Sequence, residues 1–245
     1  PNNRGQVMAT VGIANYIGLG VGPFFADKLY NEFSIVPVFQ MVLIFAVLGF
    51  LAVLIIRRQQ KPDKIEQKKS GRYRAALHRW FLIPSAFLFV IALVHGGVTF
   101  FIPVYLEENS TLDAGVYFLS FSLAVLVFRI VAGRISDRIG RSLVSFAGTT
   151  TVAVAVFLMP YALTLPLLIG VSVLYGWGYG SQQPAMTALI ADRTTFENRG
   201  TLFSLYYAIF DIGMLLSGYV FGLLADWVSV QVIFPVSSAL YVIGI

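Results

Sequence analysis

The sequence predicts an all-α integral membrane protein, and three observations carry that expectation: repeated apolar runs of spanning length, scarce charge, and basic residues gathered at the ends of those runs. Of the 245 residues, 58% are hydrophobic and only 12% are charged, and the mean hydropathy is +0.80. An ordinary soluble domain is far less apolar, and a water-soluble core has no room for so many uninterrupted apolar segments. The net charge of +5 would raise the question of a nucleic-acid partner in a soluble protein. Here the Lys and Arg residues flank apolar runs instead of lining one polar face, so they read as topology signals and no nucleic acid is expected. The chain has no cysteine, which excludes disulfides and thiol-based metal or redox sites.

Windows of suitable length and apolarity give eight candidate spans, at roughly 6–26, 36–56, 80–106, 114–133, 143–162, 166–191, 200–225 and 230–245. Between the second and third lies RRQQKPDKIEQKKSGRYRAALHR (57–79), with nine basic residues against two acidic ones, too polar to enter a bilayer. This linker separates two helices, within 1–56, from six, within 80–245. Eight spans must alternate sides. With the linker in the cytoplasm, 16 of the 17 Lys and Arg residues fall on that side and only Lys28 lies outside, as the positive-inside rule requires. The chain opens on Pro1 without the features of a signal peptide and stops at Ile245 inside an apolar run, which reads as a fragment cut at both ends.

An internal repeat links the first and seventh spans. Asn3-Arg4-Gly5 returns 195 residues later as Asn198-Arg199-Gly200, each time ahead of an apolar run. Thirteen residues after each glycine comes another, Gly18 and Gly213, and small residues follow at four-residue spacing: Gly18 with Gly22, Gly218 with Gly222. Such faces let helix backbones approach closely, and each taken singly reads equally as plain helix packing. The matched triplets favour common descent, and an offset of six helices places both copies in the same orientation, as in parallel repeats.

The stretch GRISDRIGRS, between the fourth and fifth spans, concentrates charge in a short turn. Gly133 and Gly140 permit close approach and left-handed backbone, Asp137 accepts hydrogen bonds, and Arg138 and Arg141 donate them. With its spacing G-x-x-x-D-R-x-G-R, this loop resembles the cytoplasmic signature of the major facilitator superfamily of secondary transporters, whose members have twelve spans. The resemblance implies an MFS-type helical bundle of which this chain holds eight of twelve helices, spans five to twelve, with the 57–79 linker as the central loop. It also implies that the loop acts as a latch between the two halves on the cytoplasmic side. Arg129, two turns before Asp137, is placed to join that network, although snorkelling to the interface accounts for it as well. The first span carries GLGVGPFFAD, which is similar to the family's antiporter signature at Gly18, Gly22 and Pro23. Ala26 and Asp27 stand where that pattern has glycines, so the match is partial, and it favours export over uptake.

Polar groups inside spans need a reason, because an ionised side chain at the bilayer centre costs about 2.5–3.5 kcal/mol on insertion scales. Asp211, near the middle of the seventh span, is the candidate proton site, with a neutral, hydrogen-bonded carboxyl as the alternative. His95 lies mid-span in LVHGGVTF, either titrating or serving as a neutral donor. The sixth span reads YGWGYGSQQPAM, expected as a bend with amides turned to a cavity. The third and sixth spans correspond to pathway-lining helices of the family, so His95, Trp177, Gln182 and Gln183 are the candidate substrate contacts. No HExxH, serine–histidine pair or paired intramembrane aspartates occur, so an enzyme is disfavoured, and no cofactor or metal is expected. The reading is a proton-coupled exporter of a small organic solute in a bacterial-type plasma membrane, monomeric when full length, with the lipid bilayer, the solute and protons as its partners. A proton-coupled importer and a non-transporting scaffold are the alternatives.

Overall fold

The computed structural model describes residues 4–57, 78–194 and 198–243. The chain is helical throughout these stretches: α1 (Arg4–Glu32), α2 (Ile35–Arg57), α3 (Arg79–Asn109), α4 (Ala114–Ile139), α5 (Arg141–Leu158), α6 (Leu165–Arg193), α7 (Arg199–Trp227) and α8 (Ile233–Ile243), with 3-10 turns at Met159–Tyr161 and Val230–Val232. Each expected span coincides with one helix. Most of the linker, 58–77, lies outside the described residues, as do 244–245 of the last expected span.

Five of these helices are long and apolar enough to cross a membrane: α2, α3, α4, α5 with its following turn, and α7. Helices α1 and α6 are 29 residues each, ample for a bilayer at about 1.5 Å per residue. In α6, Gly176, Gly178 and Gly180 and the polar residues Ser181, Gln182 and Gln183 lie on faces packed against other helices. Among the described residues the main contact of helix α2 is with α1, and most of its Leu, Ile, Val and Phe side chains are exposed.

Helices α3 to α8 form a body in which α6 packs between α4 and α5, α7 lies on α3, and α8 sits between α3 and α5. Without a hydrophobic drive in lipid, close backbone approach supplies the attraction. The glycines of α6 show how. A Cβ on Gly176 would stand 2.6 Å from the Phe121 carbonyl oxygen and 2.7 Å from Ala124 Cβ on α4. On Gly178 it would stand 2.6 Å from the Gly148 carbonyl oxygen on α5. The run GWGYG therefore serves contact with two neighbours at once, and α6 continues as one helix through Pro184. The inserted backbones of α4 and α5 leave no space beside these glycines, so this part of α6 serves packing. Helix α7 meets α3 in the same manner, with Gly213 against Ala92 and the Phe89 carbonyl, and Ser217 against Gly96.

Helix α1 joins this body along α4. A Cβ on Gly20 would approach Ser122 Cβ to 2.6 Å, and one on Gly115 would approach Phe24 Cα to 2.9 Å. The close approach falls at Gly20, not at the expected Gly18 and Gly22, which have nothing within 4 Å of a Cβ among the described residues. Two residues along a helix is a turn of about 200°, so Gly18 and Gly22 share the face opposite the α4 contact. Gly218 and Gly222 meet only the rings of Phe100 and Phe101, at 3.7–3.9 Å.

Candidate functional site

Among the described residues three polar clusters occupy the interior, and the expected contact residues are distributed unevenly with respect to them. The first is built on α3, α4 and α6. His95 is buried, its Nδ1 lies 2.8 Å from the Tyr175 hydroxyl, and its ring stacks on Tyr179 with centroids 4.4 Å apart. Phe121 stacks on Tyr175 at 5.0 Å and on Tyr117 at 6.0 Å. Such ring pairs add orientation-dependent attraction to their area burial. Tyr175 and Tyr179 share a face because four residues make about one helical turn. Gly96 and Gly97 sit in the same stretch of α3 and meet Ser217 and Phe221 of α7, which places His95 at a well-packed point of its helix.

The second cluster spans α1, α4 and α6. Gln183 Oε1 accepts hydrogen bonds from the Tyr16 hydroxyl at 3.0 Å and from Arg129 Nη1 at 2.8 Å. The Arg129 guanidinium also lies 5.7 Å from the centroid of the Tyr16 ring, within cation–π range. Tyr16 in turn meets Tyr179 edge to face at 6.4 Å. Thus a residue expected in the loop latch, Arg129, and one expected at the substrate, Gln183, are brought together one layer deeper than the loop. The charge is half-buried, and its described partners are a neutral amide and an aromatic face.

The third cluster lies within the body. Gln182 is fully buried, its Nε2 donates to Thr149 Oγ1 at 2.8 Å, and its Oε1 accepts from the Tyr241 hydroxyl at 3.0 Å. Gln182 therefore ties α6 to α5 and α8. Replacing it with leucine is expected to strand the Tyr241 hydroxyl and lower stability by about 1–3 kcal/mol. Thermal unfolding of the purified protein measures this, and adding Tyr241→Phe to the leucine variant is expected to recover part of the loss, because the orphaned donor is then gone. Trp177 belongs to none of the clusters: it is half-exposed and packs on Phe128 at 5.6 Å. The YGWGYG spacing places it about 200° from Tyr175 around the helix. A 440 Å³ cleft between α3, α5 and α6 is lined by Phe87, Ser145, Thr149 and Met186 among others, and meets the clusters only at Thr149.

Asp211 lies on the exposed face of α7 with Tyr207 and Leu215, turned away from the α3 contact made by Gly213, Ser217 and Phe221. At the charged loop, α4 ends at Ile139 and α5 starts at Arg141. Gly140 between them has φ +96°, in the region that favours glycine. The surroundings of Gly133 and the side chains of Asp137, Arg138 and Arg141 lie outside the described residues. Pro23 is within α1.

At the other end of the bundle the α1–α4 seam is polar. Asp113 caps α4, its Oδ1 accepting from the Gly115 N–H at 2.8 Å, and Asp27 Oδ2 of α1 accepts from the same N–H at 2.8 Å. Partial burial and the neighbouring Asp113 carboxyl push the Asp27 carboxyl up to about 6, against the opposing pull of the Gly115 N–H. Neither this pair nor the tyrosines Tyr16, Tyr175, Tyr179 and Tyr241 are among the sequence-derived site residues. The four-residue spacing of Tyr175 and Tyr179 was the one available signal.

Among the described residues, long helices joined at several glycine seams, with polar clusters buried between them and apolar side chains facing outward, define a polytopic helical membrane protein. The chain belongs to the Major Facilitator Superfamily, whose family model matches residues 1–114 and 109–245. It is 22% identical to the staphylopine export protein of Staphylococcus aureus over 91% of its own length and 59% of that protein's. It is 27% identical to the quinolone resistance protein NorA of the same species over 57% of its length, covering 36% of NorA. The chain thus spans about three fifths or less of the curated relatives it matches.

Proposed function

We propose that this chain forms part of a secondary transporter that exports a small organic solute by alternating access, driven by proton entry. The observation that carries the reading is the contact of Tyr16 with Gln183 and Arg129. It holds α1 against α4 and α6 through one neutral hydrogen bond and one cation–π contact, each of modest strength. Contacts of this size are made and broken within a transport cycle. The Gly133–Arg141 loop then acts as a second latch at the linker side, with 57–79 in the cytoplasm. Export is supported by two relatives, one an export protein and one a resistance protein. His95 and Gln183 line the solute path in this reading, and Asp211 is the candidate proton carrier.

The test is proton release on solute addition in proteoliposomes, using a panel of lipophilic cations, sugars and siderophore-like anions. Solute-driven release that disappears in Asp211→Asn while solute binding persists supports a coupled exporter with its proton site in α7. Unchanged release in the variant removes Asp211 from that role. The absence of any solute movement across the panel counts against transport of these classes.

A further inference from the structure

We infer that Asp27 and Asp113 form a proton-operated latch that closes the α1–α4 seam at the end of the bundle opposite the linker. Two carboxylates converge on one N–H, each at 2.8 Å. A single N–H proton is shared by two acceptors, and two anions brought this close repel. With a proton on one carboxyl, the pair becomes an acid and a carboxylate. The acid donates to its neighbour, the Gly115 N–H is left to the anion, and α1 is bonded to α4 through both.

The seam is built so that this bond matters. Gly20 brings α1 against Ser122, and Gly115 brings the start of α4 against the backbone of Phe24. Asp27 therefore reaches the α4 N-terminus across a contact with no slack. Among the described residues no cation opposes the pair. On its own helix, Lys28 and Glu32 point to the exposed side, α2 has no titratable residue before Arg57, and at the end of α3 Glu107 and Glu108 are exposed acids. Along α4, Arg129 lies sixteen residues from Asp113, roughly 24 Å away.

The direction follows from the raised Asp27 carboxyl, at about 6 against an ordinary value of 3.8. A carboxyl whose affinity for its proton is higher in the closed seam favours closure when protonated. This contribution to closure is therefore fully present below the ordinary carboxyl value of 3.8 and is lost as the pH rises through about 6. With this end facing the outside, an acidic exterior draws the outer seam shut. The inference rests on the transporter reading only in supposing that the seam opens and closes in a working cycle.

The native sequence contains no cysteine, so a spin-label pair at Tyr30→Cys and Thr111→Cys, both exposed positions, reports the seam without background. In nanodiscs, the distance distribution is expected to lengthen or broaden between about pH 5 and about pH 8, with a midpoint near the Asp27 value. Asp27→Asn keeps an acceptor for the Gly115 N–H and removes the charge, and is expected to hold the short distance at every pH. Asp113→Asn removes the repelling neighbour and is expected to move the midpoint down toward the ordinary carboxylate range. A pH-independent distance in the labelled parent, or an unchanged transition in Asp27→Asn, overturns the latch. Solute counterflow measured on the same samples keeps the two readings apart: counterflow without a seam transition sinks the latch alone, and a seam transition without counterflow sinks the transporter reading alone.

Discussion

Replacing Gly178 with alanine is expected to be among the most damaging single-methyl changes in this protein. The new Cβ would stand 2.6 Å from the Gly148 carbonyl oxygen, 2.7 Å from Val152 Cγ2 and 2.8 Å from the Val152 nitrogen. Two of these three neighbours are backbone atoms of α5, which cannot rotate away as a side-chain tip can. Helices α5 and α6 must separate, and separation loosens every close contact along the seam, including the Gln182–Thr149 bond. Overpacking of this kind costs about 1–3 kcal/mol, and the absence of a flexible neighbour places this site at the upper end. Gly170→Ala, on the same helix, is the matched control: nothing lies within 4 Å of its Cβ. There the methyl only lowers the backbone entropy of the unfolded chain, with an effect of about 0.4–1 kcal/mol in the stabilising direction. Thermal unfolding in detergent is expected to separate the two variants in opposite directions from the parent. Equal melting temperatures would show that the α5–α6 seam yields more easily than its backbone contacts imply.

Arg129→Gln is expected to cause the largest loss of transport. Arg129 donates to Gln183 and covers the Tyr16 ring, so the guanidinium holds both ends of the bond between α1 and α6. A hydrogen bond to a charged group contributes about 1.5–3 kcal/mol. Lost from one state of the cycle only, that is about a ten- to hundredfold shift in the balance between states. Solute exchange in proteoliposomes is expected to slow by a similar factor. The reciprocal change, Gln183→Glu, turns the same bond into an ion pair and over-stabilises the same arrangement, so it is expected to slow exchange while keeping the folded protein at least as stable. Arg129→Lys separates charge from shape: an ammonium keeps the charge but loses the planar fork that serves Gln183 and Tyr16 together. If Arg129→Gln exchanged solute at the parent rate, the Tyr16–Gln183–Arg129 cluster would be packing and nothing more.

The reading of elements from sequence succeeded where one physical signal dominated. Each apolar run became a helix because in lipid every backbone N–H and C=O must find its partner within the segment. The run YGWGYGSQQP carries no such single signal. Glycines there suggest room for a bend or a cavity, whereas the space beside Gly176, Gly178 and Gly180 is taken by the backbones of α4 and α5. A glycine in a span has the same letter whether its missing side chain makes room for a turn, a ligand or a neighbouring helix. Gln182 and Gln183 are adjacent and alike in chemistry, but one faces Thr149 and Tyr241 inside the body while the other faces Tyr16 across the seam. Adjacent helical positions differ by about 100° in direction, and only the placement of neighbouring helices assigns those directions a meaning.

By itself, the sequence determined the eight apolar segments, the glycine at the charged turn between α4 and α5, and the family, through the spacing of the loop motif that includes Gly133, Asp137 and Arg141. These are local properties, set by hydropathy over one helix length or by residues a few positions apart. Only the tertiary structure decided that Arg129 meets Gln183, that Gly20 and not Gly18 is the contact of α1 with α4, and that Asp27 and Asp113 share one N–H across 86 residues of chain. Those pairings depend on which helix lies beside which and at what rotation. In a bilayer that is settled by the close fit of many small contacts between distant parts of the chain, a property no single segment carries.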